Sequence, residues 1–479
     1  MPFVFSEADV AAFATASGDR NPLHVDRSYA RTTPFGECVV HGALLAIAAL
    51  GRLGDATLAG VRAVDVSFGG AVVVGEPVEA QVKAAPGGDA WQVRLTGRGR
   101  LLARVVARRD ASDGAGAVPA PARPMRTEPF DLPALPEVGE TVAGAYAAEA
   151  SLSAIASMLG AGALAPALLE ALAWASYVVG MEMPGRHGVF GAVKLAAGEG
   201  GSGAGAYAIR VAERDPRTDH LVLTGAFEPA GGGRVAASIE CFARPAVPAI
   251  DAGVLTGSRA EPTGRAVVVI GGSRGFGAAT ALALLARGHE THVVHSSAAA
   301  SLDGGLRAHV ADARDAKAMA EVAAAVAERG LPLHGIVLAA SPPPLPMAVT
   351  AESADAVAAY VAQALSLAAA PLGALLPLLE RDGWVVFCSS TAVSAPPRDW
   401  PHYVAAKGAL EGLASWTAAA TPGVRSVAAR LPKMLTAMTN SPSMRVNAAA
   451  PEPVALRLVE LLESNRLAAG FTVVEEELA

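Results

Sequence analysis

Two stretches without helical or strand period divide the 479-residue chain: DASDGAGAVPAPARPMRTEP (Asp110–Pro129) and VPAIDAGVLTGSRAEPTG (Val247–Gly264). Both are dense in Gly, Pro and Ala and read as linkers. They leave segments of roughly 110, 120 and 215 residues, each large enough for a core or for half of a shared one. The first two segments follow one plan, an apolar helix (His41–Leu53; Ala165–Met181) followed by strand-like runs broken by Gly and Pro. The runs are VRAVDVSF, WQVRLTG and LLARVVARR, then VFGAVKL, YAIRVAE, HLVLTGAF and VAASIECFA. One helix with several antiparallel strands, twice over, predicts an internal duplication. The third segment alternates strand and helix through VVVIGG, THVVH, GIVLAAS and GWVVFCSS. That alternation predicts a parallel, doubly wound α/β sheet.

Composition narrows the partners. Hydrophobic residues make up 52% and charged residues 17% of the chain, below the usual ~25% charged, so the chain is compact and not disordered. The net charge of -7, from 38 basic and 45 acidic residues, argues against nucleic acid, which needs clustered Lys and Arg. Cys38, Cys241 and Cys388 lie too far apart for a disulfide framework or a metal-binding pair. Glu7 and Asp9 stand where a secretory signal carries positive charge, and EEELA is not a peroxisomal address. The apolar stretch Val361–Leu379 is interrupted by Pro371, Pro377 and Gln363, which suits a buried or interface helix better than a membrane span. The expectation is a soluble, cytoplasmic chain with no metal, nucleic acid or membrane partner.

In the third segment, RAVVVIGGSRGFG runs from strand to Gly-rich turn to helix, with Gly271, Gly275 and Gly277 in the turn. Small residues there let backbone approach a pyrophosphate at the positive end of the helix. The strand THVVH ends in His295-Ser296-Ser297 with no acid to hold a ribose 2′-hydroxyl, while Arg274 lies inside the turn. Arg274 is either a 2′-phosphate partner, favouring NADPH over NADH, or a solvated turn residue. Tyr403 and Lys407 sit at i,i+4 and so share one helix face; an ammonium beside a phenol favours phenolate. Ser390 ends the preceding strand, near where a strand's C-terminal end meets ligand.

With these parts the segment resembles the short-chain dehydrogenase/reductases, in particular ketoacyl reductases, over residues 265–479. The resemblance implies that Tyr403 protonates the carbonyl oxygen, Lys407 holds the nicotinamide ribose, and Ser390 orients the carbonyl. It assigns Gly271, Ser273, Arg274, Gly275, Gly277, Asp312, Ala340, Lys407 and Thr436 to the cofactor, with Asp312 at the adenine. The chain departs from the family pattern in three places. Leu338-Ala339-Ala340-Ser341 replaces Asn-Asn-Ala-Gly, the helical Asn of the proton relay is missing near Gln363 or Ala364, and Pro432-Lys433 replaces Pro-Gly. The alternative to an active domain is a degenerate scaffold used only for association.

At the N-terminus, FATASGDRNPLHVD puts Asp19 and His24 on either side of Asn21-Pro22. Proline stiffens this loop, which presents a carboxylate and an imidazole together for proton removal at one carbon and delivery at the next. Taken singly, each residue also fits an Asx-turn or a surface histidine. His41-Gly42 opens an apolar helix whose Gly42 N–H can stabilise a thioester carbonyl as charge develops.

The sequence SGDRNPLHVD…VVHGALL resembles the MaoC-like (R)-specific enoyl hydratases and dehydratases of the hotdog fold. The resemblance implies 2-enoyl and (3R)-hydroxyacyl thioesters as reactants, with Asp19 and His24 as the dyad and residues 1–112 as the catalytic half. Residues 128–246 then form a second hotdog repeat. It reads SLSAIASMLGAG where the dyad loop belongs, so it is expected to be non-catalytic, to complete the α+β double-hotdog sheet and to shape the acyl tunnel, with His187 structural. Arg94, Arg98, Arg100, Arg104 and Arg108 recur at even spacing; they form either a solvated sheet face or a track for an acyl carrier protein or the phosphates of coenzyme A.

Together the parts suggest a homo-oligomeric, NADPH-dependent 3-ketoacyl reductase fused to a 3-hydroxyacyl dehydratase, serving fatty-acid-like or polyketide-like assembly. Two other readings use the same residues. One is a hydratase with an NAD-linked dehydrogenase in the β-oxidation direction, and the other a dehydratase carrying the scaffold domain.

Overall fold

The computed structural model describes residues 2–110, 123–132, 134–201, 203–244, 246–256, 260–296, 305–441, 444–464 and 466–478. Residues 111–122 of the first linker, 257–259 of the second and Ser297 lie outside the described residues. The chain forms two compact units, Met1–Ala246 with Ser441–Val446, and Val247–Asn440 with Asn447–Ala479.

The first unit is built on one ten-stranded antiparallel sheet. Its strands are β1 (Phe3–Val4), β2 (Ala63–Phe68), β3 (Pro77–Ala84), β4 (Ala90–Gly97), β5 (Arg100–Arg108), β6 (Thr141–Ala145), β7 (Gly188–Gly198), β8 (Ala206–Asp215), β9 (His220–Glu228) and β10 (Arg234–Ala243). They lie in the order β1-β3-β4-β5-β2-β7-β10-β9-β8-β6, so the two segments join edge to edge at β2 and β7. Period-2 alternation sets the register. Val93, Val105, Val66, Val193, Ile239, Leu223 and Val211 are paired one to the next across the sheet, and all are buried. Against this face pack the two apolar helices, Gly42–Leu50 and Pro166–Tyr177. Strands β3 and β6 escaped the sequence reading because β3 buries only Val78 and β6 only Gly144, leaving no apolar alternation to see.

The second helix runs on into a π turn, Val178–Glu182. There Glu182, 2% exposed, gathers four donors. Tyr177 and Tyr207 hydroxyls donate to Oε1 at 2.9 and 3.0 Å, and Arg123 and Arg126 donate to Oε2 at 2.7 and 2.8 Å. Burial also raises both tyrosine pKa values, so the hydroxyls remain donors.

The second unit holds β11 (Ala266–Ile270), β12 (Glu290–His295), β13 (Arg307–Val310), β14 (Leu333–Leu338), β15 (Leu379–Ser390), β16 (Arg425–Leu431) and β17 (Gly470–Val474). All neighbours run parallel in the order β13-β12-β11-β14-β15-β16-β17. Apolar clusters cover both faces, which is why β11 and β14 are buried at every residue. The strand order reverses direction between β11 and β14, the place where such sheets open a ligand crevice. Part of the stretch read as the second linker folds instead: Ala252–Thr256 is helical, and Ile250, Ala252 and Leu255 pack on this core. The apolar stretch around Val361 is the helix Ala354–Leu375, which carries Pro371 within it and buries Ala364, Ala368, Leu372 and Leu375. Through Leu378 it is also long and apolar enough to cross a membrane by length and composition.

Removing the acceptor at the centre of the Glu182 network leaves two phenols and two part-buried guanidiniums unmatched. Glu182→Leu should cost about 3 kcal/mol, the lower end for a broken buried ion pair because the arginines keep some solvent. That corresponds to roughly 6–12 °C in the melting of the first unit. An unchanged melting curve in calorimetry would show that the network adds nothing to stability.

Candidate functional site

In the first unit, the helix Glu7–Ser17 starts with a Ser6–Asp9 capping box and ends at Gly18, whose φ of 69° is left-handed. That turn sends Asp19 inward, where it is 2% exposed. Its Oδ2 accepts the Ser176 hydroxyl at 2.6 Å and its Oδ1 the Asn21 amide N–H at 3.2 Å. Asn21 ties the loop down: Oδ1 accepts from Leu23 N at 2.9 Å, and Nδ2 donates to the Gly180 and Gly185 carbonyls, each at 3.0 Å. Pro22 then opens the single turn Pro22–Val25, which carries His24.

His24 Nδ1 lies 2.6 Å from the Val39 carbonyl. A carbonyl only accepts, so Nδ1 carries the proton and Nε2 keeps the lone pair. The ring stacks on His41 with centroids 3.7 Å apart, and His41 Nε2 donates to the Asp19 carbonyl at 3.0 Å. One ligand atom from each of Asp19, His24 and His41 lies within 4.8 Å of the other two. The two ring planes are 23° from parallel. Burial pushes the Asp19 carboxyl above its ordinary range, against the pull of His24 and of the Ser176 and Asn21 hydrogen bonds. Burial lowers His24, against the attraction of Asp19, and lowers His41 further. Gly42 begins the next helix beside this cluster, and a Cβ there would stand 2.7 Å from the Phe68 ring.

In the second unit the candidate residues gather at the C-terminal ends of the strands. Gly271 follows β11 with φ 81°, and a Cβ on it would lie 2.7 Å from Ala340 N, just beyond β14. A Cβ on Gly277 would lie 2.3 Å from the Gly271 carbonyl, and one on Gly275 3.3 Å from Thr436 Cγ2. Gly271, Gly275, Gly277, Ala340 and Thr436 thus form one backbone-lined cradle, with half-buried Ser273 and exposed Arg274 on the turn and Arg274 as N-cap of Gly275–Ala286. The Asp312 carboxylate is bound side-on by Arg314, with Nη2 to Oδ2 at 2.6 Å. On the helix Pro401–Ala420, the Lys407 ammonium donates to the Cys388 carbonyl of β15 at 2.7 Å and lies 5.3 Å from the Tyr403 ring centroid. That bond holds the Tyr403/Lys407 face against the strand that ends in Ser390.

The sequence profile of the MaoC like domain matches residues 2–94, and that of the short chain dehydrogenase family residues 265–446. The (R)-specific enoyl-CoA hydratase of Aeromonas caviae is 45% identical over 83 residues, which are 16% of this chain and 61% of that protein. The 3-hydroxybutyryl-CoA dehydratase of Methylorubrum extorquens is 39% identical over 84 residues, 17% of this chain and 53% of that protein. The chain therefore spans between half and two thirds of the length of these curated relatives. Among solved structures, a short chain dehydrogenase from Burkholderia cenocepacia J2315 in complex with NADP is similar at a TM-score of 0.40 with 19% identity, over 45% of this chain and 98% of that one.

The chain joins a MaoC-like domain to a short-chain dehydrogenase domain.

The structure adds residues to both domains that the sequence reading lacked. Ser176 and Gly180 come from the second repeat, so that half also supplies groups touching the Asp19 carboxylate. A polar and a glycine residue inside the apolar run LLEALAWASYVVGMEM were the only signal for them. His187 bonds the Tyr29 hydroxyl at 3.2 Å and lies 3.4 Å from Asp131. In the dehydrogenase domain, Gln363 is exposed and Ala364 buried. Tyr360, on the same helix, instead turns to the site. Its hydroxyl donates to the Pro342 carbonyl at 2.9 Å, and burial raises its pKa.

A Cβ on Gly180 would stand 2.1 Å from Asp19 Oδ1. Gly180→Ala should therefore cut kcat for hydration of a crotonyl thioester at least a hundredfold, an estimate for displacing a group by about 1 Å, with circular dichroism unchanged. Full activity in that variant would remove Asp19 from the site. Because His24 is lowered from its ordinary 6.5, a role for its neutral ring as proton acceptor in dehydration puts the acid limb of the kcat/KM profile for a 3-hydroxyacyl thioester below pH 6.5. A limb above that value would contradict the burial described here.

Proposed function

We propose that the chain reduces a 3-ketoacyl thioester in the dehydrogenase domain and dehydrates the (3R)-hydroxyacyl product in the MaoC-like domain. The thioester is carried on coenzyme A or on an acyl carrier protein. The observation that carries this reading is the buried Asp19–His24 pair, which burial pushes in opposite directions. A raised carboxyl is a proton donor and a lowered imidazole a proton acceptor, and such opposed shifts assign acid and base.

In dehydration, His24 Nε2 takes the C2 proton and the C2–H electrons form the C2=C3 bond. The C3–O bond breaks, and the Asp19 carboxyl protonates the departing hydroxyl to give water. Hydration runs the same transfers backwards. Charge building on the thioester oxygen meets the Gly42 N–H at the positive end of its helix. Ser176 steadies Asp19 through the 2.6 Å bond.

In the reductase, the glycine turn fits a dinucleotide: with no Cβ at Gly271 or Gly277 the turn packs directly on Ala340 and against the start of the helix Gly275–Ala286, which sets the positive end of that helix at the turn, where a pyrophosphate binds. Gly271, Ser273, Gly275, Gly277, Ala340, Lys407 and Thr436 would hold NADPH, with Arg274 at the 2′-phosphate and Asp312 at the adenine. NADPH supplies the hydride when bound. Tyr403 gives its phenolic proton to the carbonyl oxygen, Ser390 orients that oxygen, and Lys407 is fixed beside Tyr403 by the Cys388 carbonyl.

Protein incubated with NADPH and a short 3-ketoacyl thioester should oxidise the cofactor and yield 3-hydroxyacyl and then 2-enoyl species by mass spectrometry. Tyr403→Phe should abolish the first step alone, and Asp19→Asn the second alone. No cofactor oxidation, with crotonyl thioester still hydrated, would leave the dehydrogenase domain a scaffold, and preference for NAD would favour the oxidative direction.

The arginine track divides in the fold. Arg98 pairs with Glu76 at 3.0 Å and Arg108 with Asp65 at 2.5 Å. Arg94 and Arg104 face each other across β4 and β5, both exposed, and like charges in that position repel. An acidic carrier surface relieves that repulsion. Arg94→Glu/Arg104→Glu should raise KM for carrier-bound substrate about tenfold and leave KM for pantetheine thioesters in place; an equal change in KM for both substrates would exclude docking there.

A further inference from the structure

Arg244 follows β10 and is 3% exposed. Its guanidinium stands 5.7 Å from the Phe35 ring centroid and hydrogen-bonds to Tyr29. Among the described residues, its Nε and Nη2 have no hydrogen-bond partner. Among the described residues no carboxylate is paired with it, although a buried guanidinium without a counter-charge is costly. Nε–H and Nη2–H form the side-on edge of the guanidinium, the pair that takes the two oxygens of a carboxylate in parallel.

Arg244 also lies next to the reacting groups. Its backbone N–H donates to the His187 carbonyl at 2.9 Å, and the adjoining Arg186 carbonyl accepts from Tyr29 at 3.0 Å and from Asn21 at 3.3 Å. Asn21 in turn donates its amide to Asp19. The charge of Arg244 is felt at both His24 and His187.

We propose that Arg244 binds a carboxylate on the acyl group itself, so that the MaoC-like domain acts on short 2-enoyl or 3-hydroxyacyl thioesters bearing a second, distal carboxylate. The inference rests on the hydratase/dehydratase reading above and specifies its substrate class. A phosphate is the other source of paired oxygens. The pantetheine arm, however, holds the phosphates of the carrier far from C2 and C3, whereas Arg244 sits within electrostatic reach of His24. A carboxylate at the end of a short acyl chain meets the guanidinium edge while its double bond lies at the dyad, and the bound anion supplies the counter-charge that Arg244 lacks among the described residues.

The test compares three coenzyme A thioesters as substrates for hydration by the full-length protein: crotonyl, fumaryl (trans-butenedioyl) and the methyl ester of fumaryl. The wild type should favour the free acid over its methyl ester at least tenfold in kcat/KM. In Arg244→Gln that ratio should fall to near one, with Arg244→Lys intermediate because it keeps charge but loses the side-on pair. Hydration of crotonyl thioester without preference for the acid overturns the carboxylate site and leaves the proposed function intact. A rise in KM for all coenzyme A thioesters in Arg244→Gln, absent for phosphate-free pantetheine analogues, would instead place a carrier phosphate at Arg244 and overturn the acyl assignment. If no thioester is hydrated the proposed function fails, and the anion site is then read by melting temperature alone. Free fumarate should raise the melting temperature of the wild type and not that of Arg244→Gln or Arg244→Lys; no rise in the wild type overturns the site.

Discussion

The seam between β2 and β7, where Val66 pairs with Val193, is the constraint on which the first unit depends. A hotdog half buries one face of its sheet against its helix but leaves β2 or β7 as an open edge, with unpaired N–H and C=O groups. Joining the two edges satisfies those groups and makes one apolar face from Val93 to Val211. It also brings the helices Gly42–Leu50 and Pro166–Tyr177 side by side. Only then does the second helix bring Ser176 and the bare backbone of Gly180 up to the Asp19 carboxylate. The buried surroundings of Asp19 are thus a consequence of strand pairing on the opposite side of the core.

The two domains solve different electrostatic problems. Around Asp19 and His24 the chain withdraws water, and desolvation is the largest influence on both groups and on His41. A low-dielectric surrounding makes the titration of each group there more strongly coupled to its neighbour. In the dehydrogenase domain the groups are held by backbone. Lys407 is anchored by a strand carbonyl, and the cradle is lined by Gly271, Ala340 and Gly277. One site depends on side chains that exclude solvent, the other on side chains that are missing.

Much of this was legible in the sequence where a local pattern encodes it. Strands that alternate or are wholly apolar, the Gly-rich turn and the Tyr403/Lys407 helix face all follow from neighbours within a few residues. Strands β3 and β13 were not legible, since both are largely solvated and show no apolar period. Neither was the helix at Ala252–Thr256, whose hold on the core comes chiefly from Leu255. Ser176, Gly180, Tyr360 and Arg244 belong to a further class. Each lies in an ordinary helix or strand context and acquires meaning only from residues brought near by the fold. The Arg94–Arg108 track shows the converse, because even spacing suggested one face, yet pairing with Glu76 and Asp65 withdraws Arg98 and Arg108 from it.

The division of labour across the β2–β7 seam bears on how such a chain can change over time. With one dyad loop and one supporting helix, each half has been relieved of a different duty, and neither can resume it alone. Drift in the segment from Ser176 to Gly185 is constrained by a carboxylate more than a hundred and fifty positions away, although that segment lies outside the stretch that carries the MaoC-like signature. A protein holding only residues 2–94 would have to borrow the serine and the glycine from a second molecule, so carrying both halves in one chain turns a demand for assembly into a demand for length.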